Sequence, residues 1–243
     1  MIDLHSHILP ELDDGARDLD ETFRMARLAV ESGISHMVAT PHCVDSGAQA
    51  VQESVSFLRQ TLQQLRLPLK VYSGMEIYGT RDTAKLLSEG RLLTLNRSRY
   101  PLIEFDFESD GMTETQILHS VLQAGFRPLI AHPERYLYIQ REPQLLDEWL
   151  DMGCLLQINK GSLTGRFGPV CQELSMALIA RGFAAVVASD AHSAHSRTPW
   201  MYDAWDMLAR QFSPLLAEQL LLETPRKILK NEPVTGAMPD WFR

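Results

Sequence analysis

Short apolar runs separated by amphipathic stretches set the rhythm of this chain. IDLH (2–5), ISHMVAT (34–40), VYSGME (71–76), YPLIEF (100–105), RPLIAH (127–132), CLLQIN (154–159) and FAAVVAS (183–189) lack strict polar alternation, which predicts seven strands buried on both faces. Between them lie helical patterns. DLDETFRMARLAVESG carries apolar Phe23, Ala26, Leu28 and Val30, an acidic first turn and Gly33 as a C-terminal stop. Further helices are expected at 49–66, 113–125, 142–153 and 170–182, the last three closing at Gly125, Gly153 and Gly182. After residue 199 the chain turns helical in PWMYDAWDMLARQF and SPLLAEQLLLETP and ends in a polar tail.

Strand–helix alternation predicts an α/β fold with a parallel sheet and right-handed crossovers. Seven units at about thirty-residue spacing favour closure into a TIM-like barrel over an open doubly wound sheet. No GxGxxG or GxxxxGK[ST] follows any strand, so the usual phosphate loops of the open rival are missing. The 243 residues fit one domain, 1–243, without linker or low-complexity tract.

Composition narrows the function. A 45% hydrophobic and 22% charged chain has the material for a real core. No apolar run of about 18 residues and no leader-like N-terminus are found, so the expectation is a cytoplasmic protein without membrane insertion. Cys43, Cys154 and Cys171 form no CxxC pair and are expected as reduced thiols. A net charge of −8 argues against nucleic acid as a partner.

Chemistry-bearing residues stand at the C-terminal ends of the expected strands, where βα barrels build their active sites. His5, His7 and Asp14 follow the first; His42 in TPH follows the second, Glu76 the third, Glu104 the fourth, His132 the fifth, and Asp190 with His192 the seventh. His5 and His7, two apart on an extended strand, share a face, and so do Asp190 and His192 if their strand continues. Imidazoles with carboxylates and no thiolates suit Mn²⁺, Fe, Zn²⁺ or Co²⁺, and nine ligands exceed one tetrahedral ion, so two to three divalent metals are expected. His36 and His119 fall inside elements and are read as structural.

Asp3-Leu-His5-Ser-His7, Thr-Pro-His42, Glu76, His132 and Ser-Asp190-Ala-His192 resemble the motifs of the polymerase and histidinol phosphatase (PHP) superfamily over nearly the whole chain. MIDLHSHILPELDDGA, VATPHC, GMEIY, LIEFDF, AHPERY and SDAHS further resemble the bacterial metal-dependent protein-tyrosine phosphatases of capsule and exopolysaccharide synthesis, the CpsB/CapC/YwqE type. The resemblance implies a distorted (β/α)7 barrel with a trinuclear site, commonly manganese, held by His5, His7, Asp14, His42, Glu76, Glu104, His132, Asp190 and His192. It leaves Asp13 facing solvent and implies phosphate-binding roles for Arg135 and Arg197. One departure is Pro10-Glu11, where the family usually has Pro-Gly.

The reaction then expected is hydrolysis of a phosphate monoester by a metal-bridging hydroxide that attacks phosphorus directly. His42 and His195 are the candidate general acids. No cysteine has an arginine six positions on, since Gln49, Lys160 and Ala177 stand there, which excludes the cysteine-dependent phosphatase signature. The partner implied is a phosphotyrosine protein, the C-terminal tail of a bacterial tyrosine kinase. A histidinol-phosphate phosphatase, an amidohydrolase-like enzyme and a catalytically silent metal-binding regulatory module are the competing readings.

Overall fold

The computed structural model describes residues 1–42 and 47–234, so the Cys43 thiol beside His42 lies outside the described residues. Among the described residues eight strands form two parallel ladders. The first orders β1 (Ile2–Ser6), β2 (His36–Ala39) and β3 (Lys70–Ser73); the second orders β4 (Glu76–Tyr78), β5 (Leu102–Glu104), β6 (Leu129–Ala131), β7 (Leu155–Asn159) and β8 (Ala184–Ala188). The expected VYSGME strand is thus split, β3 serving one ladder and β4 the other.

The split is a kink within one path. His36 pairs with Lys70, Ala39 with Ser73, and an isolated bridge joins His42 to Glu76 at the same offset. Gly74 lies at the kink because its neighbours leave no room: a β-carbon there would sit 2.9 Å from Val38 Cγ1 and 3.1 Å from Leu95 Cδ2. The opposite seam is joined by a bridge between Ser6 and Ala191, with His7 N–H donating to Ala191 O at 2.8 Å and Asp190 N–H to His5 O at 2.9 Å. Seven strand paths with two loosely joined seams agree with the distorted (β/α)7 expectation.

Helices fill the connections: α1 (Leu19–Glu31), α2 (Gly47–Gln64), α3 (Thr83–Ser88), α4 (Met112–Gln123), α5 (Leu137–Arg141), α6 (Leu145–Asp151), α7 (Lys160–Leu163), α8 (Pro169–Ala180), α9 (Tyr202–Gln211), α10 (Pro214–Glu218) and α11 (Thr224–Leu229). Asp18 caps α1 by accepting the Glu21 N–H at 2.7 Å. The stripe that α1 buries is Thr22, Met25, Ala26 and Ala29, with Phe23 and Val30 half-buried at its edges. The short α3, α5 and α7 have no counterpart in the sequence reading, because one or two turns leave no measurable periodicity.

Strand residues divide between two apolar clusters. Leu102, Leu129, Leu155 and Val186 join a smaller cluster with Ile228, Leu229 and Val234 of the C-terminal segment, whereas Ile103, Ile130, Leu156 and Val187 face the larger one shared with the helices. The C-terminal segment clamps the ends of the strands far from the ligand residues. Tyr100 OH donates to Glu232 O at 2.7 Å, Asn96 Nδ2 donates to Leu229 O at 2.9 Å, and Arg127 also reaches Val234 O. Among the described residues no helix is long and apolar enough to cross a membrane.

Candidate metal centre

Four side chains converge at the strand ends. The Nε2 atoms of His5 and His7 lie 3.2 Å apart, Glu76 Oε2 lies 3.1 Å from the first and 3.2 Å from the second, and Asp190 Oδ1 lies 3.4 Å and 3.5 Å from them. All four residues are buried. His7 Nδ1 is engaged by Asp13 Oδ2 at 2.7 Å and His5 Nδ1 by Gln157 Oε1 at 2.9 Å. Both acceptors claim the Nδ1 proton, so in the neutral rings each Nε2 presents a lone pair to the other and to two carboxylate oxygens. Asp190 Oδ1 is buried without a hydrogen-bond partner. Lone pairs facing lone pairs in a buried space fit a cation, and the donor set suits a divalent one.

Two further groups border this one. His7, Asp14, His42 and His192 bring donor atoms within 4.8 Å of one another, and His42, Glu76 and Glu104 form a third such group. His132 Nε2 stands beside the third, 2.9 Å from Glu76 Oε1 and 3.4 Å from Glu104 Oε2. Every residue expected as a ligand therefore lies in one continuous cluster. Asp14 and His42 form its solvent side, their side chains 64% and 38% exposed.

Without metal the cluster organises its protons by mutual attraction. Burial disfavours charge on His7, yet Asp13, Asp190 and Glu76 outweigh it and hold the imidazole well above its ordinary pKa. Burial likewise opposes protonation of His132, but Glu104 and Glu76 raise it to about 9. Glu76 and Asp190 resist burial in the other direction, drawn well below the carboxylate range by the surrounding imidazoles. His192, whose ring centroid is 3.8 Å from that of His7, is pushed down to about 4 by burial and by its neighbour's charge.

Two positions depart from the expected strand geometry. Asp190 has φ 51° and His132 φ 34°, both in the left-handed region that non-glycine residues rarely occupy. β8 ends at Ala188, so Asp190 and His192 are not brought together by strand alternation; a turn closed by His192 N–H to Arg197 O at 2.8 Å does it. The same turn aims Arg197, whose Nη2 lies 2.5 Å from Asp190 Oδ2, while Arg135 Nη1 lies 3.4 Å from that oxygen. Glu21, buried on α1, anchors the turn by accepting the Ala194 N–H at 2.6 Å.

Asp13 does not face solvent as expected. Its side chain is 4% exposed, and besides His7 its Oδ2 accepts the His42 N–H at 2.9 Å. His195, one of the two candidate acids, points away: 70% exposed, its ring faces Glu21 at 3.9 Å. His119 is exposed on α4 and His36 stacks on Tyr72, both outside the cluster. The sequence reading missed Gln157 and Asn159, the latter donating from Nδ2 to Asp190 Oδ2 at 2.5 Å. Their signal was present: two polar residues, two apart, end the otherwise apolar CLLQIN run.

A parallel βα ring with a carboxylate–imidazole cluster at its strand ends defines a metal-dependent hydrolase type of site. Residues 1–230 match the family described as capsular polysaccharide synthesis, CpsB/CapC, and the chain belongs to that family. It is 36% identical to the tyrosine-protein phosphatase YwqE of Bacillus subtilis (strain 168), the match covering 98% of this chain and 95% of that one. Identity to the tyrosine-protein phosphatase CpsB of Streptococcus pneumoniae is 31%, covering 96% and 99%. A crystal structure from work on YwqE and CpsB, there described as unique metal-dependent tyrosine phosphatases, superposes with a TM-score of 0.92 at 35% identity over 97% of each chain. A dihydropyrimidinase from Brevibacillus agri matches with a TM-score of 0.59 at 10% identity, covering 98% of this chain and 72% of that one, a likeness of fold alone.

Proposed function

We propose that this chain is one catalytic domain, a metal-dependent protein-tyrosine phosphatase acting in the cytoplasm on a phosphotyrosine protein. The tyrosine-bearing C-terminal tail of a kinase that regulates capsule or exopolysaccharide synthesis is the substrate this reading favours. The observation that carries it is the buried convergence of His5, His7, Glu76 and Asp190 with a bordering set of donors, in a chain of this family.

In this reading His5, His7, Asp14, His42, Glu76, Glu104, His132, Asp190 and His192 hold two to three divalent ions, Mn²⁺ foremost, with Fe, Zn²⁺ or Co²⁺ as alternatives. Three overlapping donor groups support that count. Ions bound there supply Lewis acidity, lowering the pKa of coordinated water towards neutrality and offsetting phosphoryl charge. The chain's own groups do the rest. Asp13 and Gln157 hold the two N-terminal imidazoles with Nε2 inward. Arg135 and Arg197, which meet at Asp190 Oδ2, bind the phosphoryl oxygens through planar guanidinium forks. A tyrosine leaving group has a pKa near about 10, so its departure asks little of a protein acid. The free, buried Cys154 and Cys171 suit a reducing compartment.

The test is phosphate release by the Mn²⁺-loaded protein from a phosphotyrosine peptide and from histidinol phosphate, each with and without chelator. Chelator-sensitive preference for the peptide is expected. Strong preference for histidinol phosphate would keep the metal site and overturn the substrate, and no turnover of any phosphoester at full metal loading would leave a regulatory module.

A further inference from the structure

Arg135 is held in an unusual way for a half-buried cation. Its guanidinium carbon lies 4.8 Å from the Phe107 ring centroid and 4.3 Å from that of Phe167, and its side chain is only 17% exposed. Among the described residues its side chain makes a single hydrogen bond, the 3.4 Å contact of Nη1 with Asp190 Oδ2. We propose that Phe107 and Phe167 are positioning residues, an aromatic clamp that presents Arg135 to the phosphoryl group; this rests on the phosphate-binding role given to Arg135 above.

Aromatic faces attract a guanidinium through its π surface and consume none of its in-plane N–H donors. A carboxylate partner would fix the same side chain but occupy the fork that the phosphate needs. Arg197 meets the same Asp190 Oδ2 through Nη2 at 2.5 Å, and among the described residues no aromatic ring faces it as Phe107 and Phe167 face Arg135. The clamp is built from three successive connections: Phe107 follows β5, Arg135 follows β6 and Phe167 follows α7.

Both rings are themselves fixed. Phe107 meets the His132 ring edge-on, with centroids 5.8 Å apart, and its carbonyl accepts the Leu137 N–H at 2.8 Å. Phe167 rests against Gly161, where a β-carbon would lie 2.5 Å from Cε2, so only glycine leaves the ring its place. Gly161 N–H in turn donates to Asn159 Oδ1 at 2.7 Å, and Asn159 binds Asp190. One short segment thus sets both the carboxylate and the ring.

The experiment compares Phe107→Leu, Phe167→Leu, Phe167→Tyr, Gly161→Ala, Arg135→Ala and the Arg135→Ala/Phe167→Leu pair in the Mn²⁺-loaded protein. Metal content, competitive inhibition by inorganic phosphate, and KM and kcat for a phosphotyrosine peptide are read. A cation–π contact corresponds to about a two- to fivefold change. Each leucine variant and Gly161→Ala should weaken phosphate inhibition and raise KM by about that factor; the leucine variants, which leave Asn159 in place, keep their metal and lose on KM rather than kcat, while Phe167→Tyr restores both. In the Arg135→Ala background Phe167→Leu should add nothing. An additive loss there, or wild-type phosphate inhibition in both leucine variants and Gly161→Ala, would overturn the clamp. Unchanged phosphate inhibition in Arg135→Ala would overturn the role of Arg135 itself, and the clamp with it.

Discussion

Asp13 Oδ2 accepts from His7 Nδ1 across 2.7 Å, and so fixes which nitrogen of that buried ring faces the donor cluster. The same oxygen takes the His42 backbone N–H, so one carboxylate orients two proposed ligands from different strands. Removing such an outer partner costs about 10–100-fold in metal affinity. Asp13→Asn should lower Mn²⁺ affinity by that range in a metal titration and recover most of its turnover at high Mn²⁺. Wild-type affinity would mean that His7 is oriented by its packing alone.

Asp190 and Arg197 touch, yet their replacement should have different consequences. Asp190 presents Oδ1 to His5 and His7 and Oδ2 to Arg197 and Asn159. Asp190→Ala, like His7→Ala, should deplete bound metal and abolish turnover. Arg197→Ala should keep its metal and raise KM at least tenfold, because it removes a charged partner of the phosphoryl oxygens. Metal analysis alongside kinetics separates the two, and retained turnover in His7→Ala would remove that residue from the ligand set.

How far the sequence carried follows from what each feature depends on. The strands were legible because burial on both faces writes an uninterrupted apolar run, as in FAAVVAS. The nine ligand candidates were legible because barrel topology sends every strand end to one face, whatever the loops do. Asp13 was misjudged for a local reason: neighbouring aspartates in a turn differ only in φ and ψ, and spacing does not say which one turns inward. The left-handed Asp190 likewise breaks the two-residue period on which the pairing with His192 was argued. Phe107 and Phe167 were invisible because their partner is a cation from a third connection, a relation that exists only in three dimensions.

Protons and metal compete for the same nitrogens. In the metal-free protein the His132 imidazole is raised to about 9, so it carries a proton near pH 7, and that of His7 is shifted in the same direction. A divalent ion needs its imidazole ligands neutral, so its binding must expel such a proton. A raised pKa therefore makes metal affinity increase with pH until about 9 for His132 and weaken as pH falls. Calorimetry of Mn²⁺ binding at pH 7, in buffers of different ionisation enthalpy, should show net proton release, and no release would refute a protonated His132 in the metal-free site.

Glu11 keeps a glycine-like backbone, with φ 60° and its N–H donating to Ala16 O at 3.0 Å. The left-handed conformation costs an ordinary residue about 1–2 kcal/mol, and glycine's extra freedom when unfolded returns about 0.4–1 kcal/mol of that. Glu11→Gly should therefore stabilise the fold by about 0.5–1 kcal/mol, a rise of about 2 °C in Tm for a chain of this length. Scanning calorimetry of the metal-free protein reads it directly. A lower Tm would mean that the Glu11 side chain makes a stabilising contact larger than its strain.

Gly74 should be intolerant for the opposite reason, since it lacks space rather than torsional freedom. An alanine β-carbon there would meet Val38 Cγ1 at 2.9 Å, Leu95 Cδ2 at 3.1 Å and Thr40 Cγ2 at 3.2 Å. Overpacking of this kind costs about 1–3 kcal/mol, and at about 2–4 °C per kcal/mol the Tm of Gly74→Ala should fall by several degrees. The damage should also reach the chemistry. Gly74 lies two residues before Glu76, whose Oε2 sits beside His5, His7 and His42, and the Glu76 N–H is pinned to Pro41 O at 3.1 Å on the neighbouring strand path. A shift of the strand at residue 74 would change the Glu76 distances to these rings, so Mn²⁺ affinity should drop together with Tm. A destabilised variant with unchanged Mn²⁺ affinity would mean that the kink absorbs the displacement and shields the cluster from it.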